Sequence, residues 1–281
     1  MKQEFTRIAV KVGSNVLARR DGTLDVTRMS ALVDQIAELN KSGVEIILIS
    51  SGAVASGRSE IHPQKKLDSV DQRQLFSAVG QAKLINRYYE LFREHGIAVG
   101  QVLTTKENFS TRRHYLNQKN CMTVMLENGV IPIVNENDTV ATHEIEIGDN
   151  DTLSAIVASM IGADLLILLS DIDGLYTDDP RANPDAKFIE TVEHLDESFL
   201  RMGKSTTGSG VGTGGMSTKL TAATIATASG ADMVIANSKD VRIIHRIIDG
   251  ENYGTLFLAE KQDAFDLPDF VENLHSCRER G

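Results

Sequence analysis

Val44-Glu45-Ile46-Ile47-Leu48-Ile49-Ser50-Ser51-Gly52-Ala53 decides the architecture. A strand-length apolar run, Val44 to Ile49, passes at once into a turn of small residues and then into helix-compatible sequence. The run does not alternate between apolar and polar, so it reads as a strand covered on both faces, the pattern of a parallel sheet. Similar runs occur at Ile8–Val12, Ile97–Leu103, Val130–Val134, Asp164–Leu169 and Met233–Ala236, separated by segments with helical spacing. Met29, Leu32, Val33, Ile36 and Leu39 share one helical face, and the spacing predicts a second stripe of Leu75, Val79, Ala82, Ile85, Tyr89 and Phe92. Strands alternating with helices build an α/β fold, here a three-layer αβα sandwich with a central, mainly parallel sheet. In such sheets ligands gather at the carboxyl ends of the strands. From Ala259 onward the sequence is polar and weakly patterned and reads as a surface segment.

Composition bounds the function. With 41% hydrophobic and 24% charged residues the chain is an ordinary globular one. Its apolar runs are far shorter than the ~20 residues that cross a bilayer. The N-terminus mixes charge into a short apolar stretch and does not look like a secretory leader. A cytoplasmic protein without a membrane partner is expected. Cys121 and Cys277 stand far apart without metal-ligand spacing, as free structural or surface thiols would. The formal net charge of -10 argues against a nucleic-acid partner, because phosphate backbones require clustered Lys and Arg. Any bound phosphate must be met locally.

Four polar segments follow strands. Lys11 sits within an apolar strand ahead of Gly13-Ser14-Asn15. It is either an edge-strand lysine snorkelling to water or a cation delivered to the sheet's carboxyl end, beside Gly13 and Ser14 amides that hold a phosphate. Ser50-Ser51-Gly52-Ala53 is either a strand–turn–helix anion site or one of the common Ser-Gly turns. Asn135 through Asp138, with Gly148-Asp149-Asn150-Asp151, packs more amides and carboxylates before a helix than capping alone explains. An aspartate there orients nearby lysines, while Asn150 and Asp138 suit a substrate amine or carboxylate. Ser205 to Lys219 is glycine-rich and has a linker's composition, but Lys219 at the following helix start favours a phosphate cradle.

Other patterns fail. Gly203-Lys204-Ser205 mimics a Walker ending with Ser198 where the first glycine belongs. His143-Glu144 lacks a second zinc-protease histidine, and Asp171-Asp173-Gly174 lacks the remaining ligands of a calcium loop.

Together VKVGSNVL, SSGAVASGR, VNENDTVAT with GDNDTLSA, SDIDGLYTDDPRANP and GTGGMSTKL resemble the amino-acid kinase family over roughly Ile8 to Phe257. NENDTVA followed by GDND is similar to its glutamate-phosphorylating branch, which opens proline biosynthesis. The resemblance implies a kinase using ATP and Mg²⁺ to phosphorylate the γ-carboxylate of L-glutamate. It assigns catalysis to Lys11, Asp151 and Lys219, glutamate binding to Ser51, Asp138 and Asn150, and ATP binding to Lys11, Ser170, Asp171, Thr213, Gly214, Gly215, Met216, Ser217, Thr218 and Lys219. No protein-built metal site is implied, since Mg²⁺ is held largely by phosphates and water. Ser170 stands where the family often has threonine, which keeps the hydroxyl. The resemblance further implies feedback inhibition by proline, a homo-oligomer (dimer or tetramer) and hand-off of the acyl phosphate to a reductase. Many bacterial members append a PUA domain. Here residues 1–258 correspond to the kinase domain and 259–281 to a polar tail, ending before a PUA domain would begin. Sister kinases of acetylglutamate, carbamate or UMP share the fold, and a non-catalytic amino-acid sensor would share the pocket.

Overall fold

The computed structural model describes residues 5–19, 21–140, 147–178, 180, 183–196, 199, 215–240, 242–251 and 253–273. Along the chain these form β1 (Arg7–Val12), α1 (Ser14–Leu17), α2 (Val26–Lys41), β2 (Glu45–Ser50), α3 (Ala53–Glu60), α4 (Ser69–Glu94), β3 (Ala98–Thr104), α5 (Glu107–Ser110), α6 (Arg112–Glu127) and β4 (Val130–Glu136). Then follow α7 (Asn150–Ile161), β5 (Leu165–Ser170), β6 (Leu175–Tyr176), β7 (Phe188–Ile189), β8 (Thr191–Val192), α8 (Met216–Ser229), β9 (Asp232–Asn237), α9 (Ile243–Ile248), β10 (Thr255–Phe257) and α10 (Leu267–Glu272).

The main sheet runs β3-β4-β2-β1-β5-β9-β10-β8. Its neighbours are parallel apart from β10, which pairs antiparallel with β9. Both faces are covered, as the unbroken apolar strands require. Ile8, Val10 and Val12 of β1 pack with Leu32 and Ile36 of α2 and Leu84 and Tyr88 of α4. Ala9 points the other way, into a core shared with Ile156 of α7 and Ala223 of α8. The chain is thus the expected αβα sandwich. Among the described residues no helix is long and apolar enough to cross a membrane.

Two helices teach more than the strands. In α2, Asp25 caps the N-terminus by accepting from the Arg28 amide, and Met29, Leu32, Val33, Ile36 and Leu39 are buried as the spacing predicts. In α4 the stripe is rotated from the expected one. Phe76, Gly80, Leu84, Tyr88 and Phe92 face inward with Ser77, Gln81 and Leu91, while Tyr89 is 51% exposed. The cause is backbone contact with α3. A Cβ on Gly80 would lie 1.8 Å from the Ala53 carbonyl oxygen, and one on Gly57 1.8 Å from that of Phe76. Two helices that touch through glycines fix each other's rotation whatever the apolar stripe prefers.

The C-terminal segment also differs from the surface reading. Asp266 caps α10 by accepting from the Asp269 amide. Leu267 and Val271, four apart on one face, then enter the core beside Phe265 and Phe270.

Candidate active site

From β1 the chain moves to one side of the sheet through β2, β3 and β4, then crosses to β5 and β9 on the other. The carboxyl ends of β1, β2, β4 and β5 meet at this switch, where an open α/β sheet leaves a crevice. The polar segments singled out in the sequence converge there.

Lys11 lies on β1 between β2 and β5, so it is central and not an edge lysine. Its side chain is 9% exposed, and Nζ sits 2.5 Å from Oδ1 of Asp151 in the first turn of α7. Lys219, in the first turn of α8, places Nζ 2.9 Å from the other carboxylate oxygen. The Thr218 hydroxyl donates to that same oxygen at 3.1 Å. Burial by itself pushes the Asp151 carboxyl up, but the Lys11 and Lys219 ammoniums outweigh it and hold the group well below the ordinary carboxylate range. One carboxylate between two cations leaves a net positive charge in a nearly dry place, which suits an incoming anion. Asp149 fixes the start of α7, accepting from the Thr152 amide at 2.7 Å and the Thr152 hydroxyl at 2.9 Å.

A chamber of about 70 Å³ opens on this triad, lined by Lys11, Gly13, Asn150, Asp151, Ser170 and Lys219. Asp171 borders it, with one carboxylate oxygen 3.2 Å from the Ser170 hydroxyl and the other accepting from Asn15 Nδ2 at 3.4 Å. The Gly13 amide donates to Leu169 O at 3.4 Å. Of the two amides expected to hold phosphate, that of Gly13 is therefore turned into the sheet. Gly215 precedes α8 as its N-cap, so Gly215, Met216, Ser217 and Thr218 lead directly to Lys219. Thr213 and Gly214 lie outside the described residues.

The chamber joins a wider cleft of about 1040 Å³ whose lining includes Ser51, Arg58, Arg73, Asn135, Asp138 and Asn150. Ser51 stands at the end of β2, followed by Gly52, whose φ of 106° favours glycine as the entry to α3. Asn150 Nδ2 donates to Ser51 Oγ at 2.7 Å and to Asn135 Oδ1 at 2.9 Å. Asn135 Nδ2 in turn donates to Gln81 Oε1 at 3.0 Å. Asp138 accepts from Arg73 Nε at 2.7 Å. Beside it Glu136 accepts from the Ile147 amide at 2.6 Å and the Gly148 amide at 3.4 Å. Burial is the largest influence on Glu136 and, with the Asp138 charge, pushes its carboxyl up to about 7 against the pull of Arg73 and the two amides.

The structure thus brings Lys11, Asp151, Lys219, Ser170 and Asp171 to one chamber, and Ser51, Asn150 and Asp138 to the adjoining cleft. Gln81, Arg73 and Glu136 were missed. The signal for Gln81 was a polar side chain within a buried helical stripe; Glu136 lay within the singled-out Asn135–Asp138 run without being named, and Arg73, far away in sequence, gave no signal. Among the described residues no group of three or more His, Cys, Asp or Glu is placed to hold a metal ion.

Residues 6–237 match the amino acid kinase family. A protein of Bacteroides thetaiotaomicron named glutamate 5-kinase is 73% identical over 246 residues, covering 87% of this chain and 67% of that protein. A glutamate 5-kinase of Clostridium acetobutylicum is 44% identical over 256 residues, covering 91% of this chain and 96% of its own length. Among solved structures, a UMP kinase from Bacillus anthracis superposes with a TM-score of 0.63 at 16% identity, covering 92% of this chain and 98% of that one. At that identity the likeness speaks for the fold alone.

Proposed function

Because this chain belongs to the amino acid kinase family, and within it to the glutamate 5-kinases, we propose that its joined cavities transfer the γ-phosphoryl group of ATP to the γ-carboxylate of L-glutamate. The product is L-glutamyl 5-phosphate, and the reaction is the first step of proline biosynthesis. The observation that carries the reading is the buried Lys11–Asp151–Lys219 triad that lines the chamber beside the cleft.

A glutamate carboxylate oxygen attacks the γ-phosphorus in line, the bond from phosphorus to the β,γ-bridging oxygen breaks, and that oxygen leaves with its electron pair on ADP. The attacking carboxylate is already ionised at neutral pH, so no general base is required. The obstacle is repulsion between two anions. Lys11 and Lys219 answer it by placing positive charge where the equatorial oxygens gather negative charge, and Asp151 keeps both ammoniums aimed. Ser170, Asp171 and the residues from Gly215 to Lys219 take the nucleotide side, together with Thr213 and Gly214. Ser51, Asp138 and Asn150 take glutamate. Mg²⁺ would accompany the nucleotide, held largely by its phosphates and water. When bound it supplies neutralisation of phosphate charge.

Proline as a feedback inhibitor acting at or near the glutamate cleft, a homo-oligomeric state, delivery of the acyl phosphate to a reductase and a cytoplasmic setting complete the reading. A non-catalytic sensor would have no use for two buried cations around one carboxylate, and the 73% and 44% identical relatives support glutamate over a sister kinase's acceptor.

The test is ADP release with Mg²⁺-ATP and L-glutamate, L-aspartate, acetylglutamate, carbamate or UMP, with hydroxylamine present to trap acyl phosphate. Turnover with hydroxamate formation for glutamate alone is expected. Activity with another acceptor in its place overturns the substrate, and silence with all five overturns catalysis.

A further inference from the structure

The amides behind the glutamate cleft form a chain with a direction, and that direction begins in α4. Gln81 is 7% exposed, in the buried stripe that also carries Tyr88, whose hydroxyl lies 2.9 Å from that of Ser50. Gln81 offers its carbonyl oxygen to Asn135 Nδ2. A carboxamide carries its acceptor oxygen and its NH₂ group on the two arms of one planar unit. Turning the Asn135 NH₂ toward Gln81 therefore turns Asn135 Oδ1 toward Asn150. Asn150 commits one NH₂ hydrogen to that oxygen and the other to Ser51 Oγ. Both its donors are then used, and Asn150 Oδ1 is left as an acceptor at the cleft wall. Among the described residues no donor reaches it. Ser51 Oγ, having accepted from Asn150, keeps its own O–H to donate.

We propose that Gln81 is a positioning residue that sets the polarity of the substrate-reading pair, so that Asn150 presents an acceptor for the α-ammonium group and Ser51 a donor for a carboxylate. The inference rests on the reading of the cleft as the glutamate site. Gln81 touches neither substrate nor reacting atoms; it acts through Asn135. Without its acceptor, Asn135 can turn over, and Asn150 can follow by offering Oδ1 inward and its NH₂ to the ligand. A donor facing an ammonium group repels it. Affinity for the amino acid then falls while affinity for the same diacid without its amino group does not.

The experiment compares kcat and KM for L-glutamate and for glutarate, which lacks the α-amino group, in the full chain and in two variants. Gln81→Met removes the acceptor at nearly constant length, and Gln81→Glu keeps one. Loss of one hydrogen bond to a charged group predicts that Gln81→Met lowers the glutamate-over-glutarate preference in kcat/KM by about ten-fold, through KM for glutamate. KM for ATP stays unchanged, and Gln81→Glu retains the preference. Should Gln81→Met not fold, Gln81→Ala removes the same acceptor and reads the same ratio. An unchanged preference in the acceptor-less variant overturns the proposal, as does an equal loss in Gln81→Glu or a fall in kcat common to both substrates. Wild-type inactivity toward glutamate would overturn the function itself, and the role of Gln81 with it. Wild-type activity with an unmoved ratio removes the role alone.

Discussion

Asp151 and Glu136 are both buried carboxylates at the same edge of the sheet, 1% and 7% exposed, and their surroundings drive them in opposite directions. Asp151 faces two ammoniums and is held ionised far below its ordinary range. Glu136 is met by backbone amides and one distant guanidinium, with Arg73 Nη2 at 3.9 Å, and burial pushes it up to about 7. The contrast divides the site by task. On the proposed reading, two cations and a carboxylate sit where a phosphoryl group would be stabilised, whereas the cleft adds a chain of neutral hydrogen-bonding groups, Ser51, Asn135 and Asn150, beside its charged residues. If both proposals hold, electrostatic force serves the reaction and hydrogen-bond polarity the choice of substrate.

The comparison breaks most visibly at Asp151. Asp151→Asn leaves two buried lysines without their counter-charge, and a loss of about 3–5 kcal/mol is expected from urea unfolding. A loss below about 1 kcal/mol would show that the lysines do not need it. At the other end the effect appears as pH dependence. The unfolded chain releases the Glu136 proton near 4.5, the folded chain holds it to about 7. Its contribution to stability is therefore full below pH 4.5 and lost as pH rises to about 7, an expected decline of roughly 3 kcal/mol. The opposite sign holds for Asp151: its contribution is present above its unfolded value of 3.8 and is lost only as pH falls through the depressed folded value. Unfolding curves across this window should be flatter in Glu136→Gln, and an identical slope would remove Glu136 as the source. Lys219→Ala should lower kcat by about 10²-fold, the scale of losing one donor to developing negative charge. Near-normal turnover would place the stabilising charge elsewhere.

Much of this division was legible from the chain. A lysine inside an apolar strand, and a dense amide-and-carboxylate run before a helix, are costly unless a ligand or a counter-charge meets them, so Lys11, Asn150 and Asp151 stood out. Strands buried on both faces announce themselves by unbroken apolar runs, which is why β1, β2, β4, β5 and β9 were readable. The three residues of β10 carry no such run, and neither does the single turn and a half of α10. The rotation of α4 was illegible for a different reason. It is set by the absence of side chains at Gly57 and Gly80, and hydrophobic periodicity cannot register an atom that is missing. The same rotation brings Gln81 to Asn135, so an error of one position in the stripe concealed the hydrogen bond behind the Asn150–Ser51 pair.

The Gly57–Gly80 contact has a mechanical side as well. Where two helices meet backbone to backbone, no side chain between them can change rotamer to make room. With α3 carrying Arg58 and α4 carrying Arg73 into the same cleft, that wall acts as the fixed jaw of a vice. A wall seamed in this way cannot widen there by a change of rotamer.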